Sequence, residues 1–243
     1  MFTLLLKEFR SFFSSISGYL IISIFLLATG LFIWVFPGNT NVLDGGYANL
    51  DTLFDMAPWI YLFLIPALCM RLFTDERKSG TIELLFTRPI SDFKIVLSKF
   101  FAALLLVIFS LLFCLIYYLS VYYLGEPVGS IDVGAFWGSF LGLFFLAIGY
   151  VSLAVFAGSL TDNQIIAFLL SLVLCFSFYM GFDYLSDLML FQGLQTEVIN
   201  LGINEHYRSL SRGVVDSRDV SYFISLSLCF LFATRTVLQS RKW

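Results

Sequence analysis

Six stretches of this sequence, residues 18–36, 56–73, 100–124, 135–159, 165–182 and 221–238, are long, apolar and almost free of charge. A membrane-spanning helix needs ~20 mostly apolar residues, with a range of about 17–25. Helices that are apolar all round have no face to show water, so a soluble globular fold is excluded. A β-barrel is excluded as well, because its strands would alternate apolar and polar residues over ~10 positions. Of the 243 residues, 59% are apolar and 13% charged. Ordinary soluble domains have about 45–50% and about 25%. The chain reads as an all-α integral membrane protein with six transmembrane helices.

Charge gives the expected orientation. With a cytoplasmic N-terminus and six crossings, 11 of the 14 Lys and Arg residues lie inside, and Arg208, Arg212 and Arg218 lie outside. The acids split the other way, with 11 of 17 outside, among them Asp44, Asp51, Asp55, Glu126 and Asp132. Positive loops stay cytoplasmic during insertion, so both termini are expected inside, as in a multi-pass protein of the bacterial inner membrane. Trp34, Trp59 and Trp137, with Tyr117, Tyr118, Tyr122 and Tyr123, then fall near the outer interface, where an aromatic ring bridges lipid tail and water.

Residues 1–17 carry Phe2, Leu5, Leu6, Phe9, Phe12, Phe13 and Ile16 at three- and four-residue intervals, with Lys7, Arg10, Ser11 and Ser14 on the other side. That pattern predicts an amphipathic helix lying in the inner interface and elbowing into the first span; residues 18–243 form the six-span domain. A cleaved signal peptide fits poorly, because the basic residues follow the first apolar run. The connections at 37–55, 125–133 and 160–164 read as plain connectors. Gly134, Gly138 and Gly142 share one helix face, which lets a neighbouring helix approach closely. Packing within one subunit is the expected use, and a subunit interface is the sharper alternative. Cys69, Cys114, Cys175 and Cys229 each fall inside a span, as small packing residues.

No span holds an ionisable side chain well inside it, whereas ion-coupled transporters place carboxylates, histidines or broken helices near mid-membrane. Energy for any transport therefore enters from outside the bilayer. The chain lacks H-E-x-x-H, G-x-S-x-G and G-x-x-x-x-G-K-[ST], and its one histidine, His206, sits in an outer segment. No catalytic, metal or cofactor site is expected, and ATP would be hydrolysed by another subunit. Residues 205–219 are mixed in charge and suit an interfacial helix or plug.

The most informative stretch is the cytoplasmic loop 74–99, with the sequence DERKSGTIELLFTRPISDFKIVLSK over 75–99. Ser79-Gly80 makes a turn, Thr81 is the N-cap candidate, and Glu83 in the first turn suits the helix dipole. Ile82, Leu84, Leu85 and Phe86 follow as a short apolar helix that Pro89 stops. Ser91 caps a new helix, with Asp92 in its first turn, running through Lys94 and Lys99 into the third span. Large apolar residues held at a membrane face call for a cover, either the chain's own spans or a groove on a cytoplasmic protein.

The string from Glu76 to Pro89, with Ser91 and Ile95–Lys99, resembles the hallmark of type-2 ABC exporter permeases. The resemblance implies six spans, an N-terminal interfacial helix and a coupling helix in this loop. Glu76, Gly80, Thr81, Glu83, Leu84, Leu85 and Pro89 would contact a cytoplasmic ATP-hydrolysing subunit. It also implies a second permease chain, identical or different, a lipid bilayer as solvent, and no nucleic-acid partner. Together with the length, residues 205–219 are similar to the gliding-motility-associated permease subunits (GldF type), which implies an auxiliary gliding-motility membrane subunit. A membrane scaffold without transport and a membrane-embedded enzyme are the competing functions; the enzyme would need paired polar residues within the spans.

Overall fold

The computed structural model describes residues 2–81, 83, 90–187 and 193–240, and every regular element among them is helical. The elements are α1 (Phe2–Ser14), α2 (Ile16–Trp34), α3 (Val42–Gly45), α4 (Asp51–Cys69), α5 (Arg71–Lys78), α6 (Asp92–Leu124) and α7 (Val133–Leu160). Then come α8 (Gln164–Phe176), a π-helical stretch Ser177–Gly181, α9 (Phe182–Ser186), α10 (Gln195–Ile199), α11 (Ile203–Ser211) and α12 (Ser217–Ser240). Among the described residues, five helical stretches are long and apolar enough to cross a membrane: Asp51–Lys78, Asp92–Leu124, Val133–Leu160, Gln164–Ser186 and Ser217–Ser240. The count rises to six when α1 and α2, which meet at a bend of 68°, are taken as one broken span.

Local chemistry explains most boundaries. Asp132 caps α7 by accepting from the Ala135 N–H at 3.0 Å, and Asn163 caps α8 by accepting from the Ile165 N–H at 2.9 Å. Pro58 and Pro66 lie inside α4, where each withholds one N–H, a loss that spans in packed bundles tolerate. α6 starts directly after Ser91, as the sequence predicts, although the Ser91 side chain makes no cap bond. Its 33 residues extend about 50 Å, well beyond the ~30 Å hydrocarbon core of a bilayer.

α7 is the hub. It packs against α12, α8, α4, α11, α6 and α5, and Leu143, Leu146, Ala147, Tyr150, Val151, Leu153, Ala154, Val155 and Ala157 are fully buried. The density of Gly, Ala and Ser along α7 is what allows so many neighbours to come close, since helix association in lipid depends on packing rather than on hydrophobic burial. Around this hub, Leu27, Leu112, Ile165, Val173 and Phe232 turn outward from α2, α6, α8 and α12 and leave an apolar outer wall. All four cysteines are free, with Cys69, Cys114 and Cys175 buried.

Two of the three α7 glycines meet α11 and the turn after it. A Cβ on Gly138 would fall 2.2 Å from the Gly213 carbonyl oxygen, and one on Gly142 would fall 2.8 Å from Leu210 Cβ. Gly213 has φ +84°, so glycine is required there for its conformation as well. Gly134 meets only Asp132 Oδ1, at 3.4 Å.

α11 lies across one end of the bundle and is tied to four elements. Ser139 Oγ of α7 donates to the Ser211 carbonyl at 2.7 Å, and Tyr207 OH donates to the Phe54 carbonyl of α4 at 2.6 Å. Burial pushes the ionisation of the Tyr207 phenol well above its ordinary value, so it stays a donor. Asn204 Nδ2 donates to Asp183 Oδ2 of α9, and His206 Nδ1 meets Asp219 Oδ1 of α12 at 2.7 Å. Replacing Gly138 by Leu should therefore lower the thermal stability of the purified chain by about 1–3 kcal/mol through overpacking. Gly134→Ala should leave the unfolding temperature in detergent unchanged.

Candidate functional site

The loop singled out by sequence leaves the bundle from the C-terminus of α5. Gly80 takes φ +68°, the left-handed conformation that ends a helix, and its N–H donates to the Arg77 carbonyl at 3.1 Å. Ser79 N–H and Oγ both donate to the Asp75 carbonyl, at 3.0 and 2.8 Å. Thr81 is helical, and its hydroxyl lies 2.9 Å from Ser79 Oγ and bonds back to the Glu76 carbonyl. Thr81 and Glu83 are both exposed. Leu84, Leu85 and Pro89 lie outside the described residues.

Glu76 behaves differently from Thr81 and Glu83. It is 8% exposed, and its carboxylate points into the chain. Lys99, fully buried near the start of α6, brings Nζ to 2.7 Å from Glu76 Oε2 and 3.2 Å from Glu8 Oε1 of α1. The same ammonium donates to the Leu72 carbonyl and lies 5.1 Å from the Phe73 ring centroid. Lys7 adds a second cation, 3.2 Å from Glu76 Oε1. Two acids and two bases thus join α1, α5 and α6, and the cluster is neutral in sum. A cavity of about 230 Å³, lined by Lys7, Glu8, Ser11, Arg71, Asp75 and Glu76 among others, borders it.

On its other side α5 is tied to the α7–α8 connection. Arg77 Nη2 donates to the Ser159 carbonyl at 2.6 Å, and Nη1 donates to the Thr161 carbonyl at 3.1 Å and to Asp162 Oδ1 at 2.8 Å. The last carbonyls of a helix lack partners within it and carry its negative pole, so a guanidinium suits this end. Gln164 Nε2 donates to Asp75 Oδ1. Residues 160–164, expected to be a plain connector, are therefore a docking point for α5.

Sequence reasoning missed three of these residues. Glu8 was not singled out, Lys99 stood only in the helix running into the third span, and Arg77 as one of several inner cations. Glu8 with Lys99 and Arg77 with Asp162 join positions 91 and 85 residues apart, separations no local pattern reports. Among the described residues, no group of three or more His, Cys, Asp or Glu could hold a metal ion. The arrangement is mechanical: a short helix fixed on two sides, with exposed polar residues at its free end. Lys99→Met should destabilise the chain by about 3–5 kcal/mol, because it leaves the buried Glu8 and Glu76 carboxylates with only the largely exposed Lys7 as a cationic neighbour. The triple change with Glu8→Gln and Glu76→Gln should recover much of that loss in the same thermal-unfolding measurement.

A family model described as ABC-2 family transporter protein matches residues 10–178, from within α1 to the π-helical stretch after α8. A search of curated proteins found no match. The matched span covers more than two thirds of the chain and includes α5, Lys99, Arg77 and the loop that follows α5, while Lys7 and Glu8 precede it. The chain belongs to the ABC-2 family of transporter proteins, as an all-helical, multi-pass permease component.

Proposed function

We propose that this chain is the permease subunit through which a separate cytoplasmic ATPase drives export, and that α5 with the loop after it is the coupling element. The observation that carries the reading is the double anchorage of α5. Lys99 ties it to α1 and α6, and Arg77 ties it to the end of α7 and the start of α8. A push on the loop then reaches both groups of spans as a rigid-body displacement.

In this reading Gly80, Thr81, Glu83, Leu84, Leu85 and Pro89 form the surface that the ATPase grips. Exposure of Thr81 and Glu83 supports this. Glu76, with its carboxylate turned toward Lys99 and Lys7, acts as a positioning residue behind that surface. Residues 1–17 lie in the inner interface, residues 18–243 cross six times, and both termini face the cytoplasm of a bacterial inner membrane. The charge split supports that orientation. A second permease chain completes the pathway, and ATP binding draws the two coupling loops together. The gliding-motility system, with its auxiliary membrane subunit, is the proposed setting, supported by the similarity of residues 205–219 and the overall length.

The two roles separate experimentally. Glu83→Ala with Leu85→Asp should lose the ATPase on co-purification while the chain stays in the membrane. Arg77→Ala should keep the ATPase but break the link between ATP hydrolysis and transport. Retention of the ATPase by the first variant would refute the loop as the contact. Full coupling in the second would refute α5 as the transmitting element.

A further inference from the structure

The opposite end of the bundle holds an arrangement that the coupling reading does not use. His206 of α11 places Nδ1 at 2.7 Å from Asp219 Oδ1 of α12 and Nε2 at 2.9 Å from the Asn200 carbonyl oxygen. A neutral imidazole has one N–H and one lone pair, and a carbonyl oxygen can only accept. Both contacts are satisfied together only when the His206–Asp219 pair carries one extra proton. That proton makes either an imidazolium beside a carboxylate or a neutral imidazole beside a carboxylic acid.

The surroundings make this proton consequential. The Asp219 side chain is 10% exposed, and its Oδ2 has no hydrogen-bond partner among the described residues. The His206 ring stacks on Tyr222 with centroids 4.0 Å apart and planes at 21°. Tyr222 OH in turn donates to the Leu201 carbonyl at 2.7 Å. The turn at 200–201 is thus held twice, by His206 at Asn200 and by Tyr222 at Leu201. Other charged groups lie around α11, with Arg212 directly after it and Asp216 just ahead of α12. Asp55 of α4 faces Tyr207, Asp183 of α9 accepts from Asn204, and α7 carries no charged residue. Arg218 adjoins Asp219 on α12, and Glu205 and Arg208 flank the histidine on its own helix.

We propose that His206 and Asp219 form a proton-operated latch that locks α11 and the 200–201 turn onto α12. When the pair loses its proton, one ring nitrogen must face an acceptor with a lone pair. The bond from Nδ1–H to the carboxylate is charge-assisted and persists, so the Asn200 carbonyl is released. In the orientation proposed above this end faces the outer compartment. Rising outer pH would then free the turn that braces α11 across the outer ends of α4, α7 and α12. The latch itself does not depend on any ATPase partner.

His206 is the chain's one histidine, so a single imidazole can be followed. The full chain, purified without a polyhistidine tag, is reconstituted in nanodiscs with ¹⁵N-labelled histidine. A spin label is carried by Leu201→Cys, an exposed position, in a Cys229→Ser background. Across a pH series, loss of the pair's shared proton should appear in the imidazole ¹⁵N signals. The label at 201 should become more mobile with the same midpoint. In Asp219→Asn that shared midpoint should be lost, and in His206→Gln the label should be mobile throughout. An imidazole that titrates while the label stays unchanged would overturn the latch. So would a ring that keeps one protonation state across the whole range.

Discussion

Burying an ammonium group is costly unless carboxylates and carbonyls surround it, and removing one partner of such a pair is more costly still. Lys99 meets this condition at the point where α1, α5 and α6 converge, with Glu8, Glu76 and the Leu72 carbonyl around its nitrogen. Three helices, with α1 far in sequence from the other two, are therefore obliged to keep a single relative arrangement at that end. Apolar packing alone would not impose it, because side chains in lipid gain little by exchanging one apolar neighbour for another. The loop proposed as the coupling element leaves from the helix that this cluster holds.

The middle of the bundle obeys a different rule. α7 accepts neighbours on most sides because glycine, alanine and serine are interspersed among its buried Leu, Val and Tyr side chains, and its serines return their hydrogen bonds to backbone. Ser152 donates to the Gly149 carbonyl and Ser159 to the Phe156 carbonyl, each at 2.7 Å. Both ends of α7 are then fixed by foreign groups: Arg77 supplies donors to its final carbonyls, and Gly213 nests against its first turns. A hub built this way adds close approach and polar stitching to the packing of its buried Leu, Val and Tyr side chains.

The spans, their number to within the bent first pair, and the place of the charged loop were legible in the sequence because hydropathy over twenty residues is a local property. The start of α6 after Ser91 and the caps on α7 and α8 follow from the same short-range chemistry. Glu76 was singled out, but its inward direction was not, since that depends on a lysine in another helix. The 160–164 turn looked inert because its partners, Asp75 and Arg77, are more than eighty residues away. The split of roles between Glu76 and Glu83, seven residues apart, is invisible to a motif and plain once burial is known.

The length of α6 has a consequence for how the protein responds to its solvent. A helix so much longer than the hydrocarbon slab must tilt or protrude, and the balance between the two shifts with local lipid thickness. Lys99 lies eight residues into that helix and is bonded to α1 and α5, so any change in tilt drags both along. Bilayer thickness thereby bears on the posture of the loop that follows α5.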